Sequence, residues 1–226
     1  MPEAGRVIAG LARGRRLAAP GAGTRPFTDR VKQALFAILE PALAGCRVLD
    51  LFAGSGAGGI EALSRGAASC DFVERDATAA AVIGENLART GLAGPAARVH
   101  QRDALAFLAG AQGPYDLVLL DPPYGDPAML AVLHRLGRGD LLAASAVVAA
   151  KRFWRAALPE RVGRLAIADE RRLGETVVTI YRVTEPVGEV REQGDAPWDG
   201  RRGSAGGSGE AGPEGASTEG AGEGHG

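Results

Sequence analysis

Asp121, Pro122, Pro123 and Tyr124 follow four aliphatic residues in the stretch LVLLDPPYGD, residues 117 to 126. A buried strand that ends on a carboxylate, two stiff residues and an aromatic ring is equipped to hold a planar amine. The exocyclic amine of a nucleobase is a poor nucleophile, because its lone pair is delocalised into the ring. Holding both of its N–H donors against acceptors turns the nitrogen toward an electrophile. Asp121 offers carboxylate oxygens, and Pro122 offers a carbonyl. Pro123 restricts Pro122 and fixes the direction of that carbonyl. Tyr124 is placed to stack on an extruded base. The same tetrapeptide is also an ordinary rigid turn, and alone it decides nothing.

A second group lies upstream. VLDLFAGSGAGGIEAL places Gly54, Gly56 and Gly59 in a GxGxxG spacing, with Asp50 and Phe52 just before them. Glycines there let backbone and a helix N-terminus approach a ligand. Glu74 follows Gly54 by 20 residues, where a carboxylate accepts from both hydroxyls of a ribose. Asp103, with Ala104 beside it, follows the next strand and suits an adenine amino group. NAD and S-adenosylmethionine both fit the glycines and the ribose acid. Asp50 favours the second: a carboxylate there repels a pyrophosphate but suits a ligand amino group. The chemistry expected is an in-line methyl displacement in which the protein positions and stabilises. It requires no metal, and His100, His134 and His225 show no ligand spacing.

Strands that alternate with helices are needed to bring these residues together. RVLDLF, SCDFVE, AARVHQ, YDLVLL and SAVVAAK read as strands. AGGIEALSRG, DATAAAVIGENLARTG, ALAFLAG and PAMLAVLHRLG between them read as helices. RLAIADERRLGETVVTIYRV adds two strands turning near Gly174. The pattern predicts an α/β, Rossmann-like fold: a seven-stranded, mostly parallel sheet with helices on both faces. Such sheets bind ligands beyond the carboxyl ends of their strands. Asp50, Glu74, Asp103 and Asp121 all stand at or just past strand ends. Ahead of the sheet, RVIAGLARGRRLAAP reads as a small hairpin, too small to be stable alone. A helix follows, capped by Thr28 or Asp29, with Val31, Leu35, Ile38 and Leu39 on one face.

The chain has 226 residues and a net charge of −1, but the charge is uneven. Residues 1 to 32 carry seven basic and two acidic side chains, and residues 185 to 226 carry three basic and nine acidic. A basic front end suggests a phosphate-bearing partner. Arg6, Arg13, Arg15, Arg16, Arg25 and Arg30 are its candidates. From Gly200 to Gly226, 11 of 27 residues are Gly and no aliphatic residue larger than Ala occurs, which predicts disorder. Three parts are expected: a hairpin and helix over 1–43, a cofactor-binding domain over 44–184, and an acidic Gly-rich tail over 185–226. Cys46 and Cys70 form no ligand spacing and suit reduced thiols in the cytoplasm. No long apolar run points to a membrane, and a monomer is the expected state.

DLFAGSGAGGIEALSRGA, then FVERD, then LLDPPY resemble the class I S-adenosylmethionine-dependent amino-methyltransferases. RVIAGLARGRRLAAP followed by RPFTDRVKQALF is similar to the RsmD family, bacterial methyltransferases of guanine N2 in 16S rRNA. The resemblance runs from about Arg6 to Arg182. It implies that Asp50, Phe52, Gly54, Gly56, Glu74 and Asp103 hold the cofactor and that Asp121 to Tyr124 are catalytic. It also implies that Arg25, Thr28, Asp29 and Arg30 lie near cofactor and RNA, with 16S rRNA or the small subunit as partner. Lys151, in VVAAKRFW, stands where related sequences usually show an acid. Adenine N6 in DNA or a protein glutamine as substrate, or a non-catalytic RNA-binding assembly factor, remain open alternatives at this level.

Overall fold

The computed structural model describes residues 3–21 and 29–184. Arg25, Thr28 and the Gly-rich tail lie outside the described residues. A two-stranded hairpin comes first, β1 (Glu3–Arg6) and β2 (Arg16–Ala18), then α1 (Asp29–Leu39). The main body runs β3 (Arg47–Leu51), α2 (Ala57–Ser64), β4 (Ser69–Glu74), α3 (Ala77–Thr90), β5 (Ala97–Gln101), α4 (Ala104–Gly110), β6 (Tyr115–Leu120), α5 (Ala128–Gly137), β7 (Leu142–Phe153), β8 (Arg161–Val162), β9 (Leu165–Leu173) and β10 (Thr176–Val183).

The large sheet has the order β5-β4-β3-β6-β7-β10-β9-β8. β5, β4, β3, β6 and β7 are mutually parallel, and β10, β9 and β8 complete the sheet in antiparallel fashion. Among the described residues eight strands therefore form the sheet where seven were expected. The extra one, β8, is only two residues long, pairing Arg161 with Ala166 and Val162 with Leu165 around Gly163. A strand that short leaves no alternation to read.

Parallel strands covered on both faces should be apolar on both faces, and Val48, Leu49, Leu51, Leu117, Val118 and Leu120 are all buried. They divide into two cores. One holds Phe36, Val48, Ile60, Phe72, Ile83 and Leu117, joining α1, α2, α3 and the hairpin to the sheet. The other holds Leu49, Leu51, Phe107, Leu120, Leu133 and Leu136, on the side of α4 and α5. Full burial of each such side chain contributes about 1.5–3 kcal/mol before entropy is counted. Gly59 is required by close approach: a Cβ there would lie 2.4 Å from Phe72 and 2.6 Å from Cys70, so only glycine lets α2 sit against β4.

Helix ends follow local chemistry. Asp76 caps α3 by accepting from the Ala79 amide at 2.8 Å, and Gly91 closes it with φ 74°. The buried face of α1 is wider than the apolar pattern predicts, because Lys32 and Phe36 are buried with Val31, Leu35 and Leu39, whereas Ile38 is only partly covered. The Lys32 ammonium donates to the Arg6 carbonyl, so a charge at a core position finds its acceptor in the hairpin.

The hairpin shares its core with the sheet and is also stitched to the helices by buried polar groups. Glu61 on α2 accepts from the amides of Ile8 and Ala9 at 2.7 and 3.1 Å. Ser64 accepts from the Ala12 amide at 2.9 Å and donates to the Ala9 carbonyl at 2.6 Å. Asn86 on α3 accepts from the Ala18 amide at 2.8 Å and donates to the Ala18 carbonyl at 2.9 Å.

Candidate active site

Register decides what meets at the carboxyl ends of the strands. Leu51 of β3 pairs with Leu120 of β6, and Leu120 pairs with Ala150 of β7. Phe52 and Asp121 therefore leave neighbouring strands side by side, with Lys151, still within β7, beside Asp121. The strand order reverses between β3 and β6, which opens a crevice at that point. A single cavity of about 630 Å³ occupies it, lined by Asp50, Phe52, Gly54, Glu74, Asp103, Ala104 and the whole of Asp121 to Tyr124, with Lys151. The glycine turn and the DPPY segment thus face one space, of the size of ordinary small-molecule sites.

The turn after β3 is built on left-handed backbone. Phe52, Gly54 and Gly56 have φ of 62°, 56° and 78°. Two of these are glycines at no steric cost; Phe52 is not, and such strain is concentrated at functional sites. Glu74 braces the turn: one carboxylate oxygen accepts from the Gly54 amide at 2.9 Å and the other from the Asp76 amide at 2.9 Å. Each oxygen keeps a further lone pair for a ligand hydroxyl. Asp103 caps α4, one oxygen accepting from the Leu105 and Ala106 amides at 2.9 and 3.1 Å.

Asp50 lies at the floor of the cavity, 4% exposed, and accepts from the Gly59 amide at 2.8 Å. Burial, with the nearby negative charges of Asp121 and Glu74, pushes its pKa up to about 8 against that one hydrogen bond. Asp121 keeps 31% of its side chain exposed toward the cleft, and Lys151 keeps 12%. Protein surrounds the Asp121 carboxyl closely enough that burial raises its pKa, while the Lys151 ammonium, 2.5 Å from Oδ2, opposes the rise. Tyr124 stands at the mouth, 38% exposed. Its hydroxyl pairs with Thr176 Oγ1 at 2.8 Å, and its ring lies 5.6 Å from that of Phe153.

Five carboxylates around one cavity, Asp50, Glu74, Asp76, Asp103 and Asp121, suit a ligand that is cationic and carries hydroxyl and amino groups, and disfavour a pyrophosphate. The open turn fits the same ligand, since a Cβ on Gly54 would meet only the Phe52 carbonyl, at 4.0 Å. Among the described residues no group of three or more His, Cys, Asp or Glu could hold a metal ion.

The basic front end divides. Arg6 bonds Asp29 at 3.1 Å and Arg16 bonds Glu3 at 2.6 Å, both on the surface. Arg13, Arg15 and Arg30 are exposed. Several lining residues had no forecast role. Lys151 was evident only as an odd charge, and its partner follows from strand register. Arg75 and Arg102 also line the cavity; each adjoins a strand-end acid, a signal available in the sequence. Thr176 is brought to Tyr124 by the β7–β10 pairing, which no local pattern announces.

Residues 5–182 match the family model Conserved hypothetical protein 95. The chain is 39% identical over 181 residues to "Putative rRNA methyltransferase YlbH" of Bacillus subtilis (strain 168), covering 78% of this chain and 98% of that one. It is 35% identical over 178 residues to Ribosomal RNA small subunit methyltransferase D of Escherichia coli (strain K12), covering 78% and 89%. The solved structure "Putative methyltransferase yhhF from Escherichia coli" superposes with a TM-score of 0.73 at 32% identity, over 81% of this chain and 99% of that chain.

Proposed function

We propose, for a chain that belongs to the Conserved hypothetical protein 95 family of RsmD methyltransferases, that it methylates the exocyclic N2 amine of a guanine in 16S rRNA. Its methyl donor is S-adenosylmethionine, which supplies an electrophilic methyl group on a sulfonium: the amine lone pair takes the methyl as the sulfur–carbon electrons return to sulfur. The observation that supports this most is the single cavity shared by the glycine turn and the DPPY segment.

The chain's own groups divide the work. Glu74 takes the ribose hydroxyls, Asp103 with Ala104 the adenine, and Asp50 the amino end, over the turn formed by Phe52, Gly54 and Gly56. Asp121 and the Pro122 carbonyl accept from the two N–H donors of the target amine. Pro123 fixes that carbonyl and Tyr124 stacks on the extruded base. Methylated nitrogen is acidic, so its proton passes to Asp121 or to water without a strong base. The substrate is RNA of the small subunit in the cytoplasm, and the enzyme acts as a monomer. The hairpin and helix over 1–43 face the RNA, and the domain over 44–184 holds the chemistry.

RNA contact calls for cations and stacking surfaces. Arg6, Arg13, Arg15, Arg16 and Arg30, with Arg25, supply cations on the front end. Beside Tyr124, Phe153 leads to Trp154 at 6.1 Å, and the guanidinium groups of Arg155 and Arg172 lie 4.7 and 4.4 Å from the Trp154 ring. Aromatic rings interleaved with arginines suit unpaired RNA bases.

The test is transfer of labelled methyl to small subunits lacking the modification, with duplex DNA and ribosomal protein as competing acceptors, followed by mapping of the labelled base. Label at guanine N2 of 16S rRNA is expected. Asp121→Ala should abolish it with cofactor affinity largely kept. Label confined to DNA or protein, or full activity of Asp121→Ala, would overturn the assignment.

A further inference from the structure

We propose that Lys151 is a positioning residue for Asp121, holding one carboxylate oxygen aside and keeping the group ionised so that the other oxygen can accept from the target amine. The inference rests on the role proposed above for Asp121, but the contact it starts from does not. Lys151 stands on β7 next to Ala150, which pairs with Leu120 of β6. That register sets it directly beside Asp121, and its ammonium reaches Oδ2 at 2.5 Å. Only two lysines occur among 26 basic residues, and both are largely buried on acceptors: Lys32 at the hairpin and Lys151 in the cavity.

A buried ammonium costs much desolvation unless it is paired. Here the pair answers a second cost. Three carboxylates face this end of the cavity: Asp50 from β3, Glu74 from β4 and Asp121 from β6. Burial raises the pKa of Asp121 and so favours its protonated form. A protonated carboxyl would present an O–H donor to an amine that is itself a donor. The ammonium from β7 holds the acceptor form instead. Tyr124 and Thr176, also at this edge, are uncharged and bonded to each other. Oδ1 is then the oxygen aimed at the substrate. When the nitrogen lone pair forms the N–CH3 bond and the S–CH3 pair returns to sulfur, the nitrogen sheds one proton. Oδ1 or water takes it, and Lys151 keeps its own.

The test uses Lys151→Met, which keeps the length without the charge, and Lys151→Arg, which keeps the charge. In the cofactor-free protein, the carboxyl carbon of Asp121 is titrated by 13C NMR. Lys151→Met should move the Asp121 midpoint upward by about one unit or more, and Lys151→Arg should move it less. In steady-state assays on small subunits, Lys151→Met should lower kcat at neutral pH by roughly tenfold or more. Its acid limb should move to higher pH, with KM for the cofactor little changed, and Lys151→Arg should recover part of kcat. An Asp121 midpoint that does not move would overturn the pairing. A lower kcat with an unmoved pH profile would overturn the charge role. Should the parent enzyme fail to methylate rRNA, the proposed function falls, while the NMR midpoint still decides the pair.

Discussion

Gly54 holds its amide toward Glu74 on a backbone with φ 56°. The GxGxxG spacing made this residue legible, because a turn that approaches a ligand needs positions without a Cβ. The spacing did not reveal why Gly54 is needed. A Cβ would clash with nothing, its nearest neighbour being the Phe52 carbonyl at 4.0 Å. The obstacle is conformational, since a non-glycine residue in the left-handed region costs about 1–2 kcal/mol, and a branched one more. Gly54→Val should therefore either flip the turn and release the Glu74 bond or stand its side chain in the cavity. Calorimetry should show cofactor affinity reduced at least about tenfold, with only a few degrees lost in Tm; unchanged affinity would sink the cradle. Phe52, two residues earlier, was not legible in the same way. Its φ of 62° belongs to a residue type that avoids that region, so composition argued against what the fold imposes.

The alternation of strands and helices exposed the sheet because β3, β4 and β6 are buried along most of their length and α3 and α4 begin on aspartate caps. β8 was hidden because a two-residue strand shows no alternation. The attachment of the hairpin was hidden because its causes are long-range: Asn86 lies 68 residues from the Ala18 group it bonds, and Glu61 lies 53 from Ile8. Within α2 and α3 those side chains look like breaks in an apolar stripe. Asn86 also donates to the Ser55 carbonyl at 2.9 Å, so one amide ties the hairpin to the glycine turn. Asn86→Ala leaves the Ala18 amide and carbonyl buried without partners, at a cost of about 1–3 kcal/mol for each group left unsatisfied. Hydrogen exchange should show the Ala18 amide losing protection while β3 and β4 amides keep theirs, and the urea midpoint should fall. Retained protection at Ala18 would mean that apolar packing alone holds the hairpin.

At the scale of the whole molecule, buried carboxylates make stability depend on pH in two opposite ways. Asp71, 2% exposed, accepts from Arg98, His100 and Tyr115 at 2.8, 2.8 and 3.0 Å. Burial alone would raise its pKa, but those bonds together hold it at about 2. Its folded value lies below the ordinary 3.8, so its contribution is present above about pH 4 and is lost as pH falls through 2. Asp50 has the reverse sign. Its folded value of about 8 lies above 3.8, so the folded protein keeps a proton that the unfolded chain has lost. Its contribution is complete below about pH 4 and declines as pH rises to about 8. Between pH 6 and 8 Asp71 is constant and Asp50 is not. The cofactor-free protein should therefore show a lower urea midpoint at pH 8 than at pH 6. Asp50→Asn keeps an acceptor for the Gly59 amide and removes the titration, so its midpoint should fall less over the same interval. Parallel declines in the two proteins would show that the charge at the cavity floor is not what opposes folding at high pH. A smaller decline in Asp50→Asn would show that folding holds a carboxylate here at a cost, which a cationic ligand would offset.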